Sequence, residues 1–164
     1  MLTAAQNNVD AVQVLLQHGA CIDYEDESKR TALLEAVEGD HVETVVALVE
    51  SGACIQKNNI LGWTPLIAAA QAGHVDVLAT LFSHSGSLEN KNLEGWMLLI
   101  VATLAARLVM ANALVGMGAS VSETGHYGRT ALFAAVEEGH VDLVRLLLSD
   151  GKPVNKPDSD YRML

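Results

Sequence analysis

Residues 62–75 read GWTPLIAAAQAGHV, and residues 128–141 read GRTALFAAVEEGHV, which is nearly the same segment. The register that these two segments share recurs every 33 residues, at Thr31, Thr64, Met97 and Thr130. Each of the four residues is followed two positions later by leucine and five positions later by alanine. Repetition at such an interval is the signature of a repeat architecture, so we expect an array of similar units and not a single globular core.

The repeat extends over nearly the whole chain of 164 residues. Apolar residues occupy the same register at Val9, Val42, Val75, Leu108 and Val141, at Leu15, Leu48, Leu81, Leu114 and Leu147, and at Ile22, Ile55, Leu88, Val121 and Val154. We therefore predict one array over residues 1–164, with a partial repeat at 1–30 and full repeats at 31–63, 64–96, 97–129 and 130–162.

Each unit contains the start and stop signals of two short helices. In the last unit, Thr130 is a suitable N-cap for a helix that runs to about Glu138, and Gly139-His140 interrupts it before a second helix from about Val141 to Ser149. Isolated helices of fewer than about 12 residues are marginal in water, so stacking must stabilise these. The pattern predicts an all-α solenoid in which each helix pair contacts its neighbours.

The motifs resemble those of the ankyrin repeat family, whose units carry a Thr-Pro-Leu-His-x-Ala motif and a Gly-His pair. Residues 62–75 match it most closely, although Pro65 is the only motif proline and the motif histidine is replaced by Leu34, Ile67, Ile100 and Phe133. The resemblance implies an ankyrin-type solenoid of helix-turn-helix repeats with β-turn tips, with about five repeats in this chain. Because the motif histidine is replaced in each full repeat, we do not expect the hydrogen bonds between repeats that this histidine would provide.

Composition narrows the possible functions. The chain is half hydrophobic and carries a net charge of −10, which disfavours binding to nucleic acid phosphates. Two cysteines are too few for a disulfide scaffold, and no basic segment precedes the first apolar residues, so we expect an intracellular location, cytoplasmic or nuclear. Cys21 and Cys54 lie one repeat apart, which exceeds the roughly 7 Å limit for a disulfide, and are predicted to be two small buried thiols.

Catalytic and metal sites are not expected. His41, His74 and His140 recur at one position of the repeat, and neighbouring copies at a helix-packing distance of roughly 8 to 10 Å could not share one metal ion. Phosphate-binding loops and nucleophile elbows are absent from the sequence. The prediction is a non-enzymatic protein that uses no cofactor.

Residues 96–117 are apolar enough to raise the possibility of a membrane span. Arg107 lies at the centre of this segment, and Gly116 and Gly118 fall where the repeat ends its second helix. We therefore predict a buried middle repeat and no membrane insertion.

The ankyrin resemblance implies that a protein partner binds on a concave face built from the turn tips and the first helices. Matched position by position, the candidate binding residues of this chain are Arg30, Glu38, Ile60, Leu61, Trp63, Gln71, Leu93, Glu94, Trp96, Leu104, Tyr127, Arg129 and Glu137. The middle of this set is apolar and its ends are charged, and exposed apolar patches mark interaction sites. Whether Trp63 and Trp96 bind a partner or mainly pack against the next turn stays open.

Charge suggests the chemistry of the partner. Residues 23–50 carry nine acidic and two basic side chains, which favours a protein or peptide with an apolar anchor flanked by Lys or Arg, if this run is more than a solvated surface. The alternative function is a structural segment of a larger multidomain protein, or one that self-associates into a homo-oligomer.

Overall fold

Short helices in pairs make up the computed structural model, which describes residues 1–85, 98–121 and 128–149. Ten helices lie within these residues. They are α1 (Leu2–Ala5), α2 (Val9–Gln17), α3 (Ala32–Glu38), α4 (Val42–Glu50), α5 (Pro65–Ala72), α6 (Val75–Ser85), α7 (Leu98–Leu104), α8 (Leu108–Gly116), α9 (Ala131–Glu137) and α10 (Val141–Ser149). The bounds of α9 and α10 agree with the predicted helices of the last unit.

The repeated threonine starts the first helix of a pair. The hydroxyl oxygens of Thr31, Thr64 and Thr130 accept hydrogen bonds from backbone N–H groups three residues later, at 3.2, 3.4 and 3.1 Å. These bonds satisfy one of the amides that a helix N-terminus leaves without an intrahelical partner. The predicted N-cap at Thr130 is thus confirmed.

The helices stack in two layers. The first helices α1, α3, α5, α7 and α9 pack in that order, and the second helices α2, α4, α6, α8 and α10 pack in the same order beside them. Leu48, Leu81 and Leu114 occupy equivalent places between these layers and are fully buried. The predicted all-α solenoid, stabilised by aliphatic contacts between neighbouring pairs, is confirmed.

One position at the start of the second helix provides hydrogen bonds between neighbouring pairs. His41 Nε2 donates to the Ala5 carbonyl oxygen at 3.0 Å, and His74 Nε2 donates to the Glu38 carbonyl oxygen at 3.3 Å. Arg107 replaces histidine at this position, and its Nε donates to the Gln71 carbonyl oxygen at 3.2 Å. These side chains therefore satisfy carbonyl groups at the C-terminal end of the preceding first helix, where helices leave acceptors free. Leu34, Ile67, Ile100 and Phe133, which replace the motif histidine, are buried apolar side chains instead.

The cysteines are less buried than predicted. Both are free thiols, but Cys21 is exposed and Cys54 is only half-buried, so the prediction of two buried thiols is wrong. Each lies in the loop after a second helix, and in the second pair the preceding residue, Ala53, takes the buried place. This position of the repeat is therefore at least partly in contact with solvent in the first two pairs.

Within the described parts of the chain, none of the helices is both long and apolar enough to cross a membrane. The apolar segment around Arg107 is split between α7 and α8, and α8 ends at Gly116 as the repeat predicts.

Candidate functional site

The turn tips, defined here as residues 26–30 and 59–63, are fixed by one polar side chain each. Asp26 Oδ1 accepts from the backbone N–H groups of Ser28 and Arg30, both at 2.8 Å. One repeat later, Asn59 Oδ1 accepts from the N–H groups of Leu61 and Trp63, at 2.9 and 3.1 Å. Such side-chain bonds to nearby backbone amides stabilise tight turns, so the two tips have the same closed conformation.

The two tips are also joined to each other. The Ile60 N–H donates to the Ser28 carbonyl oxygen at 3.1 Å. Lys57 forms an ion pair with Glu25, and its Nζ donates to the Asp23 carbonyl oxygen at 3.3 Å. The hydrogen bond with Glu25, followed by the nearby negative charges, raises the pKa of Lys57 above its ordinary value of 10.5. The tips therefore form a continuous and well-anchored surface in this part of the chain.

Large apolar side chains stand on the second tip. Ile60 and Leu61 are 60% and 61% exposed, although both are aliphatic. Trp63 is half-buried and packs against the hydrophobic core while part of its ring stays accessible. Packing is thus part of the role of Trp63, and Ile60 and Leu61 carry most of the exposed apolar surface of this tip.

Tip positions and first-helix positions lie on one face. Arg30 on the first tip forms ion pairs with Glu35, at 3.0 Å, and with Glu38 at the end of α3. Arg129 forms the equivalent ion pair with Glu137 at the end of α9. Because these pairs join residues eight positions apart across the same surface, the predicted tip and helix positions are brought together at both places.

The ion pairs change the chemistry expected for the outer repeats. Arg129 also stacks over the ring of Phe133, with its Cζ 5.5 Å from the ring centroid. The guanidinium groups of Arg30 and Arg129 are therefore partly neutralised by carboxylates of the same chain. These pairs were not predicted, although the repeated spacing of Arg and Glu by eight residues is visible in the sequence.

The middle of the predicted face has no such ion pair among the described residues. Gln71, equivalent to Glu38, is exposed, and the equivalent Leu104 is half-buried against the core. The remaining predicted residues lie outside the described residues and are Leu93, Glu94, Trp96 and Tyr127.

Comparison with protein families decides the classification. A family model for ankyrin repeats, in three copies, matches residues 1–92 and again residues 87–158. The chain belongs to the ankyrin repeat family. Comparison with curated proteins gives no significant match. Ankyrin repeats are in general modules for protein–protein interaction and are typically not enzymes. In this ankyrin array, the face that joins the tips to the ends of the first helices is therefore the candidate interface.

Proposed function

We propose that this ankyrin array is a non-enzymatic recognition module that binds a protein segment across its turn tips and first helices. The observation that carries the proposal is the pair Ile60 and Leu61, whose aliphatic side chains stay exposed on a tip with a fixed backbone. Exposed apolar groups on a preorganised surface gain binding energy without the cost of ordering a flexible loop.

Trp63 extends this apolar surface toward α5. Its ring is already held against the core, so little side-chain freedom would be lost when a partner covers the accessible part. Tryptophan is enriched among residues that dominate binding energy at interfaces. We propose that Leu93, Glu94, Trp96 and Tyr127, which lie outside the described residues, belong to the same face. This assignment is based on their sequence register alone.

The charges favour a partner of defined chemistry. Arg30 and Arg129 are paired with carboxylates, whereas Glu27 on the first tip is exposed. Residues 23–50 as a whole carry a balance of nine acids against two bases. The proposed partner is therefore a segment with an apolar anchor for Ile60, Leu61 and Trp63 and with Lys or Arg beside it.

A peptide library tests this function directly. Peptides selected from a random displayed library on the purified chain are expected to share an apolar anchor and flanking basic residues. Leu61→Asp should weaken the selected peptides roughly tenfold or more, because a buried carboxylate would replace an apolar contact at the interface. Affinity is measured by isothermal titration.

One further variant is a control, and a second tests the two tryptophans. Val14→Asp changes an apolar side chain of α2 that is 53% exposed and lies outside the proposed face, so it should leave peptide affinity unchanged. The double variant Trp63→Ala with Trp96→Ala is measured for both affinity and melting temperature. Unchanged affinity at unchanged melting temperature would remove the tryptophans from the site, and unchanged affinity in Leu61→Asp would overturn the proposed face.

A further inference from the structure

One position of the repeat changes its chemistry in a single unit. The second residue of the second helix is acidic in four of the five units, at Asp10, Glu43, Asp76 and Asp142, and is Val109 in α8. An acidic side chain is favourable there because it interacts with the positive end of the helix dipole. Val109 gives up this interaction and is 73% exposed, the highest exposure of any large hydrophobic side chain in the described residues.

Val109 belongs to a larger apolar edge. Leu108 beside it is 40% exposed, and Val141, equivalent to Leu108 in the next pair, is 61% exposed. We name Leu108, Val109 and Val141 the α8 edge. In the second and third pairs the residues equivalent to Leu108, which are Val42 and Val75, are partly buried. The α8 edge is on a different part of each repeat from the turn tips, so the proposed partner would leave it uncovered.

The α8 edge is a ridge between two clefts of similar size. One cleft of about 350 Å³ is lined by Gly73, Ala106, Leu108 and Val109. The other, of about 370 Å³, is lined by Ala106, Leu108, Gly139 and Val141. A twofold rotation would place the ridge of one copy against a cleft of the other, so that both copies use the same patch, as in an isologous interface.

The charges at the two clefts are also complementary. Arg107 lines the first cleft, and Asp142 lines the second; both side chains are exposed. The hydrogen bond from Arg107 to the Gln71 carbonyl oxygen fixes the arginine side chain beside Gly73. Within the described residues, neither Arg107 nor Asp142 forms an ion pair with its own chain, so each has a charge available for a second molecule.

We propose that the α8 edge pairs with the α8 edge of a second copy of this chain, with Arg107 of each copy facing Asp142 of the other. Residues 98–121, which include Leu108 and Val109, contain one basic and no acidic side chain, so this part of the pairing surface adds no repulsion between carboxylates of the two copies. The strongly acidic residues 23–50 belong to the first part of the array and lie away from the α8 edge. This inference goes beyond the proposed function and uses a different surface.

Sedimentation equilibrium of the full chain tests the apolar part of the proposal. The wild type is expected to form a dimer in a concentration-dependent equilibrium, and Val109→Asp should weaken dimerisation at least tenfold. The substitution restores the acidic residue that the other units have, so the melting temperature should be maintained or raised. Val14→Asp is the matched control on α2 and should dimerise like the wild type.

Exchange of the charges tests the orientation. Arg107→Asp and Asp142→Arg should each weaken dimerisation, because each homodimer would contain two repulsive pairs. An equimolar mixture of the two variants should form a heterodimer, because both contacts are again between opposite charges, and the double variant should recover the homodimer. Aspartate is a good N-cap, which favours folding of Arg107→Asp, and the melting temperature of each variant verifies it.

Three results would overturn the proposal. They are a wild-type chain that stays monomeric at the highest concentration reached, a dimer that Val109→Asp does not weaken, and single charge variants that do not associate when mixed. Peptide binding at the tips is unaffected by any of these results, so failure of the dimer and failure of the proposed function are distinguishable.

Discussion

At the scale of single residues, backbone conformation follows the repeat more strictly than residue type does. Asn7, Asp40, Gly73, Ala106 and Gly139 lie 33 positions apart, and all five have positive φ, between 53° and 87°. Asparagine, aspartate and glycine tolerate this left-handed region, whereas alanine is disfavoured by contacts of its Cβ. Ala106, with φ of 55°, is therefore the strained member of the series.

Replacing Ala106 with glycine is expected to stabilise the chain. The substitution relieves the steric cost of a left-handed alanine, and the net gain in unfolding free energy is about 1 kcal/mol after the added freedom of the unfolded chain is subtracted. Urea denaturation followed by circular dichroism measures it. Ala105→Gly is the matched control, since Ala105 does not have positive φ, and it should lower the unfolding free energy by about 0.5–1 kcal/mol. A loss of stability in both variants would contradict this account.

At the scale of elements, the same N-cap recurs. It is present in each described first helix from α3 onward that begins at the repeated threonine. The Thr64 hydroxyl bonds the Ile67 N–H, and Pro65 at the first helical position has no N–H that needs a partner. A helix as short as α5 depends on this terminal bond and on packing, because an isolated helix of this length is not stable in water.

Thr64→Ala is expected to lower the unfolding free energy by about 1 kcal/mol, because it removes the oxygen that accepts from the Ile67 N–H. Thr64→Ser keeps this oxygen and is the control for loss of the methyl group alone. Thermal and urea unfolding should show most of the loss in the alanine variant. Equal stability of the alanine and serine variants would mean that the cap contributes little.

At the scale of the whole molecule, stability is distributed along the stack and depends on whether a residue has a neighbouring pair on each side. Leu15 and Leu81 occupy the same position of the repeat, but Leu15 is 48% exposed on the first pair and Leu81 is fully buried in the middle. The position in the array, and not the residue type, therefore sets the energetic contribution of each leucine.

The two leucines give a direct comparison. Leu81→Ala should cost about 2–5 kcal/mol of unfolding free energy, since it removes a buried side chain and leaves a cavity. Leu15→Ala should cost less than about 1 kcal/mol because much of that side chain already contacts water. Chemical denaturation of both variants under the same conditions measures the difference. Similar losses at the two positions would argue against stacking as the source of stability.

Long-range charge also belongs to the whole molecule. The net charge of −10 should accelerate association with the basic peptides selected at the tips, and added salt should slow it because screening shortens the range of the field. Stopped-flow association at increasing NaCl concentration measures this dependence. In the double variant Glu27→Gln with Glu50→Gln, which neutralises two exposed carboxylates, the salt dependence should be smaller. An association rate that is independent of salt would exclude charge steering.

The sequence alone determined the all-helical stacked architecture, because a period of 33 residues repeats both the capping threonines and the aliphatic positions that must be buried together. It also indicated the exposed Ile60 and Leu61, since their register assigns them to a turn tip. Only the tertiary structure decided which side chains of different repeats meet. The exposure of the loop residue Cys21 and the bond from Arg107 to the Gln71 carbonyl group depend on how neighbouring units are placed in space. A one-dimensional period specifies equivalent positions but does not specify the distances between them.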